Sequence, residues 1–177
     1  GEGQERSLIE DNARRAGVLG KNLFIEEAIS KKDVPVLLSA ADISCSLFLD
    51  IPAMRANSAN KFFDSLASSK PVLLNYGGWQ ADLVKRFGCG LVTWGLNVKA
   101  ASLVVVKAIN DKEWLRKAGQ ASKYLAEDYF ARDQLAKQLE QVLLLAKDRE
   151  GDKVCLLDKV ELLAAVEQSE VPDESTK

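Results

Sequence analysis

Apolar residues along this chain alternate between helical spacing and short continuous runs. In residues 5–20 they recur three to four positions apart, which predicts a helix that ends at Gly17 or Gly20. The apolar run in residues 22–29 predicts a short strand. The chain therefore opens with a helix followed by a strand.

The same two patterns continue over the next hundred residues. Apolar runs between turn residues predict three further strands, at residues 43–50, 71–76 and 89–94. Helical spacing predicts helices at residues 31–42, 60–69, 77–88, 97–111 and 113–148. In the first of these, Asp33 is the expected N-cap and Pro35 lies in the first turn. The last should break near Gly119 and again at Tyr129–Phe130.

Burial of individual helix faces follows from the same spacing. The face expected to point inward in residues 31–42 consists of Val34, Leu37, Leu38 and Ala41. In residues 60–69 it consists of Phe62, Phe63, Leu66 and Ala67, and this helix should stop before Pro71. The strands lack polar alternation, which is typical of strands covered by helices on both faces. We therefore predict an α/β fold with a Rossmann-like, doubly wound parallel sheet and long C-terminal helices.

Composition and charge narrow the function classes. The 177 residues are 47% hydrophobic and 28% charged, with a net charge of −2, so bulk charge does not favour nucleic-acid binding. Apolar runs are too short for a membrane span. Three widely spaced cysteines, Cys45, Cys89 and Cys155, predict reduced thiols and a cytoplasmic location. Histidine is absent, so His-based catalytic triads are excluded and a zinc site is not expected.

The ends of the chain suggest a piece of a longer protein. It begins with GEGQER and without Met, so we expect a domain that is truncated at its start. Residues 1–150 are predicted to form this domain, and residues 151–177 a C-terminal helix with an acidic tail. The helix carries an apolar stripe that would cover its own domain or dock on a partner: Val154, Leu157, Val160, Leu163 and Ala164.

Candidate chemistry lies where predicted strands lead into helices, because ligands of open parallel sheets bind at the carboxyl ends of the strands. The first such loop, residues 50–61, offers Asn57, Ser58 and Asn60 as capping side chains, and Lys61 as a positive charge. Free N–H groups at a helix start suit a phosphate or a sugar hydroxyl. The alternative is that these residues only cap the helix.

The next candidates are a carboxylate and a glycine turn. Asp64 lies about one turn beyond Asn60, where it either accepts two hydroxyl hydrogen bonds from a ribose or complements the helix dipole. Gly77 and Gly78 allow a ligand to approach the backbone closely, although turns use glycine widely. Trp79 would either stack on a base or belong to the core.

The order of these segments resembles a known enzyme family. Residues 59–72, ANKFFDSLASSKPV, are similar to the stretch Pro-Asn-Lys-x-Phe-(Asp/Glu)-Tyr-x-Ala-x-Gly-Lys-Pro-Val of a bacterial subgroup of family 4 retaining glycosyltransferases. The resemblance covers about residues 1–130. It implies the C-terminal, donor-binding half of a GT-B fold, in an enzyme of polysaccharide biosynthesis.

The resemblance also assigns roles to residues. The second glutamate of the family, which holds the donor ribose, falls on Asp64, whereas the first falls on Ala56 and has no counterpart. Ser58, Ala59 and Asn60 would then cover the sugar and the diphosphate. The basic pair that neutralises the diphosphate, and the N-terminal acceptor domain, would precede residue 1.

These implications define the expected function. The intact enzyme would transfer a sugar from a UDP- or GDP-type donor to a hydroxyl acceptor with retention of configuration, without metal or cofactor. The chain alone would have no catalytic residue and little activity. The full-length enzyme would be cytoplasmic or peripheral to a membrane. Two alternatives stay open: an interaction module that needs a partner chain, and a fragment of a sugar-nucleotide epimerase.

Overall fold

The computed structural model of the protein describes residues 3–49 and 51–147. These residues form two compact units, which comprise residues 3–40 and residues 41–147. The predicted boundary between residues 150 and 151, Cys155, and the predicted apolar stripe in residues 154–164 lie outside the described residues.

The first unit contains two helices, α1 (Arg6–Arg15) and α2 (Val34–Ser39). Helix α1 ends where the sequence predicts, because Gly17 follows with a φ of +68°, a left-handed conformation that glycine adopts easily. Asp33 occupies the N-cap position of α2 but makes no capping bond, since its carboxylate accepts a hydrogen bond from the Ser30 hydroxyl at 2.7 Å.

The strand predicted for residues 22–29 is wrong. Leu23 forms only an isolated bridge with Leu19, and residues 24–30 have no regular secondary structure. Phe24 is 64% exposed, so the apolar side chains of this run do not form a buried face. An apolar run becomes a strand only where a neighbouring strand supplies ladder hydrogen bonds, and periodicity alone does not reveal that neighbour.

The inward face predicted for α2 is only partly observed. Leu38 and Val34 are half-buried, whereas Leu37 is 59% exposed and no residue of the helix is fully buried. A six-residue helix has fewer than two turns, so it cannot present a long buried stripe.

The second unit is built on a parallel sheet of three short strands, β1 (Ser44–Ser46), β2 (Val72–Leu74) and β3 (Gly90–Val92). They lie in the order β1-β2-β3, with Cys45 opposite Leu73 and Leu73 opposite Leu91. The chain is therefore a mixed α/β protein with a parallel sheet, as the sequence predicts. The three strands correspond to the three predicted runs at residues 43–50, 71–76 and 89–94.

Helices connect and follow these strands. In chain order they are a 3-10 helix (Pro52–Ala56), α3 (Asn60–Ala67), α4 (Trp79–Phe87), α5 (Val98–Ile109), α6 (Lys112–Asp128) and α7 (Arg132–Lys147). Helix α3 packs against β1, β2 and α6, and α6 also packs against β3 and α5. Helix α3 ends before Pro71, as predicted, through Ser69 with a φ of +55°.

The core lies between α3, the sheet and α6. Phe62 and Leu66 are fully buried there, which confirms the predicted inward face of α3 at these two positions. Phe63 is only half-buried, with its ring 5.2 Å from the ring of Phe130. Ala67 is exposed, so the predicted face was too wide by one position.

Strand β1 is covered on one face only. Ser46 is fully buried, while Cys45 is exposed, and Leu47 and Leu49 are 51% and 80% exposed. The prediction of two buried faces is therefore wrong for β1. Its apolar composition did not distinguish a strand buried on both faces from one with an exposed apolar face.

Helix α6 runs without a break through Gly119, contrary to the prediction. A β-carbon at residue 119 would lie 2.8 Å from the Ser69 carbonyl oxygen. Glycine is required here by close packing of α6 on the loop after α3, and not by a kink. The second predicted break is confirmed, because α6 ends at Asp128 and α7 begins at Arg132.

Candidate functional site

The carboxyl ends of the three strands lead into three connections, of which the sequence predicts the first two as site loops. Residues 47–59 follow β1, residues 75–78 follow β2 and residues 93–97 follow β3. Because the strands are parallel, these connections lie at the same edge of the sheet. The predicted site residues in the first two connections therefore share one edge.

Asn75 fixes the first two connections to each other. Its side-chain Nδ2 donates to the Phe48 carbonyl oxygen at 2.8 Å, and its Oδ1 accepts from the Phe48 N–H at 2.9 Å. The carboxamide thus acts as one further rung of the β1–β2 ladder, beyond the end of β2. One signal for this role is visible in the sequence, because a single polar residue directly follows the apolar run VLL.

The N-cap residue of α3 is not one of the predicted capping residues. The N-cap position is occupied by Ala59, which is buried, so neither Asn57, Ser58 nor Asn60 caps the helix with its side chain from that position. Ser58, Asn60 and Lys61 are exposed and Asn57 is half-buried. The first N–H groups of a helix have no intrahelical acceptor, and here the N-cap side chain does not supply one. The Phe62 N–H, however, donates to the Ala59 carbonyl oxygen at 3.0 Å.

Asp64 is exposed on α3 and lies beyond its first turn. It follows Asn60 by four positions, so the two side chains lie on the same side of the helix. The exposed carboxylate is available to a ligand at this surface. Its distance from the helix start weakens the alternative role as a partner of the helix dipole, which acts mainly in the first turn.

Gly77 and Gly78 make close contacts with other parts of the chain. A β-carbon at residue 77 would lie 2.8 Å from the indole ring of Trp94, and one at residue 78 would overlap the Arg55 carbonyl oxygen. Gly78 also has a φ of +103° and is the N-cap of α4. Both glycines are needed to bring the connections together. The following Trp79 packs at the edge of the core, as the alternative to a stacking role predicts.

Arg55 joins all three connections. Its backbone carbonyl contacts Gly78, and its guanidinium lies 5.0 Å from the centre of the Trp94 ring. Cation–π contacts of this kind hold a cation at a defined place on the surface. Arg55 and Trp94 are not predictable from the sequence, because neither belongs to a recognisable motif and their contact joins residues that are 39 positions apart (94 − 55).

A buried hydroxyl and amide network lies behind the glycine turn. The Tyr76 hydroxyl donates to Gln80 Oε1 at 2.7 Å and lies 3.4 Å from Ser46 Oγ. Burial raises the pKa of Tyr76, although its hydrogen bond with Ser46 acts in the opposite direction. Gln80 Nε2 is buried without a partner among the described residues. The network ties the first turn of α4 to strand β1.

Within the described ranges, no group of three or more His, Cys, Asp or Glu side chains is arranged to hold a metal ion. Searching the same ranges for a helix both long enough and apolar enough to cross a membrane finds none. Both Cys45 and Cys89 are free thiols.

Comparison of the chain with protein-family models and with curated proteins finds no match. The residues and their arrangement are therefore the basis for a proposed function.

Proposed function

We propose that this chain is the donor-binding part of a retaining glycosyltransferase with a GT-B fold, and that it binds a nucleotide sugar at the carboxyl edge of its sheet. The observation that carries the proposal is that α3 and α4 both begin at this edge, where Arg55 and Gly78 hold their connections in contact. Two helix starts at one edge suit an anionic diphosphate.

The backbone of Ser69 supports the family resemblance. The family stretch has glycine at the position that falls on Ser69, and Ser69 has a φ of +55°. A left-handed residue at this turn is most easily supplied by glycine. Glycine in the family and the left-handed serine here thus satisfy the same backbone requirement.

Each site residue has a separate role in this proposal. The backbone N–H groups at the start of α3, with Lys61, would hold the diphosphate, and Ser58 and Asn60 would contact the sugar. Asp64 would accept hydrogen bonds from the ribose hydroxyls. Gly77 and Gly78 would shape the edge by allowing Arg55 and Trp94 to approach. Reaction would require an acceptor domain that supplies the other wall of the cleft.

Calorimetric titration of the whole chain with UDP, GDP and their sugars tests this proposal. We expect weak binding of at least one nucleotide, and Asp64→Ala should weaken it about tenfold or more. Glu140→Ala is the matched control, because Glu140 is also an exposed helical acid, on α7. No heat at millimolar nucleotide, or equal losses in both variants, would contradict the proposal.

A second candidate, an interaction module that pairs with another chain, is favoured by the surface of α7. Leu139, Leu143 and Leu144 are 58%, 60% and 53% exposed and line a shallow groove of about 520 Å³. Exposed leucines at helical spacing are typical of helix–helix contacts. This candidate predicts that the chain associates with a partner chain and does not bind a nucleotide. Light scattering measures the association.

A further inference from the structure

Helix α5 places its alanines inward and several large aliphatic residues outward. Ala108 is buried, and Ala100, Ala101 and Val105 are half-buried beside it. The outward side carries large aliphatic side chains at helical spacing, with exposures of 87% for Val98, 64% for Leu103, 52% for Val106 and 45% for Ile109. A helix that only covers its own domain shows the opposite arrangement.

The charge of this region also differs from that of the chain. Residues 83–110 contain four basic residues, Lys85, Arg86, Lys99 and Lys107, and no Asp or Glu, although the whole chain has a net charge of −2. Lys99 and Lys107 lie on α5 itself, and both are exposed. The outward side of α5 therefore combines aliphatic side chains with positive charge only.

The loop before α5 continues this surface. Trp94 and Leu96 are 40% and 45% exposed and directly precede the helix. Tryptophan is enriched at the boundary between lipid headgroups and acyl chains, where its ring is partly apolar and partly polar. Residues 94–109 thus carry exposed apolar and basic side chains and no acidic one.

We infer that the surface formed by residues 94–109 binds an anionic lipid bilayer. The helix would lie in the plane of the interface, with Leu103 and Val106 entering the acyl boundary. Lys99 and Lys107 would reach lipid phosphates, because long side chains extend their charge toward the headgroups. A symmetric contact between two copies of this surface would bring positive charges together, which favours an anionic bilayer over a second copy of this chain.

Co-sedimentation of the whole chain with vesicles, without nucleotide, tests the inference. Binding is expected to vesicles of phosphatidylcholine with phosphatidylglycerol and to be much weaker with phosphatidylcholine alone. The double variant Leu103→Asp/Val106→Asp should lower binding about tenfold or more. Leu8→Asp/Ile9→Asp on α1 is the matched control, because Leu8 and Ile9 are 56% and 48% exposed, and it should bind as the unmodified chain does. Circular dichroism checks that all variants fold.

A charge variant tests the electrostatic part separately. Lys99→Gln/Lys107→Gln should lower binding about fivefold for each charge removed, and added salt should weaken binding of the unmodified chain. Lys117→Gln/Lys123→Gln removes two exposed charges from α6 and should have a smaller effect. Equal binding to neutral vesicles, equal losses in the control variants, or a dimer that does not bind vesicles would overturn the inference.

Discussion

The side chain of Asn75 forms two hydrogen bonds with the backbone of Phe48, one to its carbonyl oxygen and one from its N–H. This pair joins the connections after β1 and β2 at the edge that carries the candidate site. Asn75→Asp keeps an acceptor but removes the donor and places a carboxylate beside the Phe48 carbonyl. We expect a loss of about 1–3 kcal/mol in the free energy of unfolding, measured by urea denaturation.

A second asparagine provides the control for this prediction. Asn110 is exposed and donates a single hydrogen bond to the Val106 carbonyl, at the end of α5. Asn110→Ala should cost less than about 1 kcal/mol. If Asn75→Asp were no more destabilising than Asn110→Ala, the two bonds would not hold the edge together.

Adjacent phenylalanines on α3 are expected to differ in their contribution to stability. Phe62 is fully buried, whereas Phe63 is half-buried and contacts the ring of Phe130. Phe62→Ala should cost about 3–5 kcal/mol in thermal or urea unfolding, because it leaves a cavity in the core. Phe63→Ala should cost clearly less. The reverse order would mean that α3 is rotated from its described orientation.

At the glycine inside α6, close packing and helix propensity have opposite effects on a change to alanine. Alanine normally stabilises a helix interior by about 1 kcal/mol relative to glycine. At residue 119, however, the new methyl group would lie 2.8 Å from the Ser69 carbonyl oxygen. Gly119→Ala should therefore lower the melting temperature, while Gln120→Ala, at an exposed position, should leave it nearly unchanged. A stabilised Gly119→Ala variant would show that α6 does not pack on this loop.

The buried thiol of Cys89 should make the stability of the protein depend on pH. Burial raises its pKa from 9.0 to about 12, so the native protein keeps this thiol protonated while the unfolded chain begins to ionise near pH 9. Its contribution to stability is complete below pH 9 and is lost as the pH rises toward about 12.

Alkylation with iodoacetamide at pH 9 tests whether the Cys89 thiol stays protonated in the native protein. Peptide mass spectrometry should find Cys45 modified and Cys89 unmodified in the native protein, because Cys45 is exposed whereas Cys89 is buried and stays protonated. Both should react when the chain is unfolded in urea. Equal rates for the two thiols in the native protein would be inconsistent with a buried Cys89.

Sequence periodicity predicted the parts of the fold that depend on local spacing. Helices α1 and α3 to α6, and the three strands of the sheet, follow directly from apolar spacing and from turn residues. The false strand at residues 22–29 and the exposed face of β1 have a common cause. An apolar run shows that side chains favour burial, but pairing and cover depend on segments that are distant in sequence.

The candidate site was predictable only in part. The edge and the two connections follow from parallel topology. Gly77 and Gly78 were identified as a glycine turn after an apolar run. Arg55 and Trp94 were missed because their contact depends on the tertiary fold. The expected capping side chains were misplaced because several capping residues precede α3, while buried Ala59 takes the N-cap position.

The hydroxyl of Ser122 on α6 lies within hydrogen-bonding distance of three carbonyl oxygens, those of Lys70 at 2.9 Å, Cys89 at 3.2 Å and Ala118 at 3.0 Å. Lys70 lies two positions before the start of β2, and Cys89 directly precedes β3. We expect these contacts to form after the folding transition state, because they require loops of 52 and 33 residues to close. Ser122→Ala should then mainly accelerate unfolding and leave the refolding rate nearly unchanged, which stopped-flow kinetics can measure.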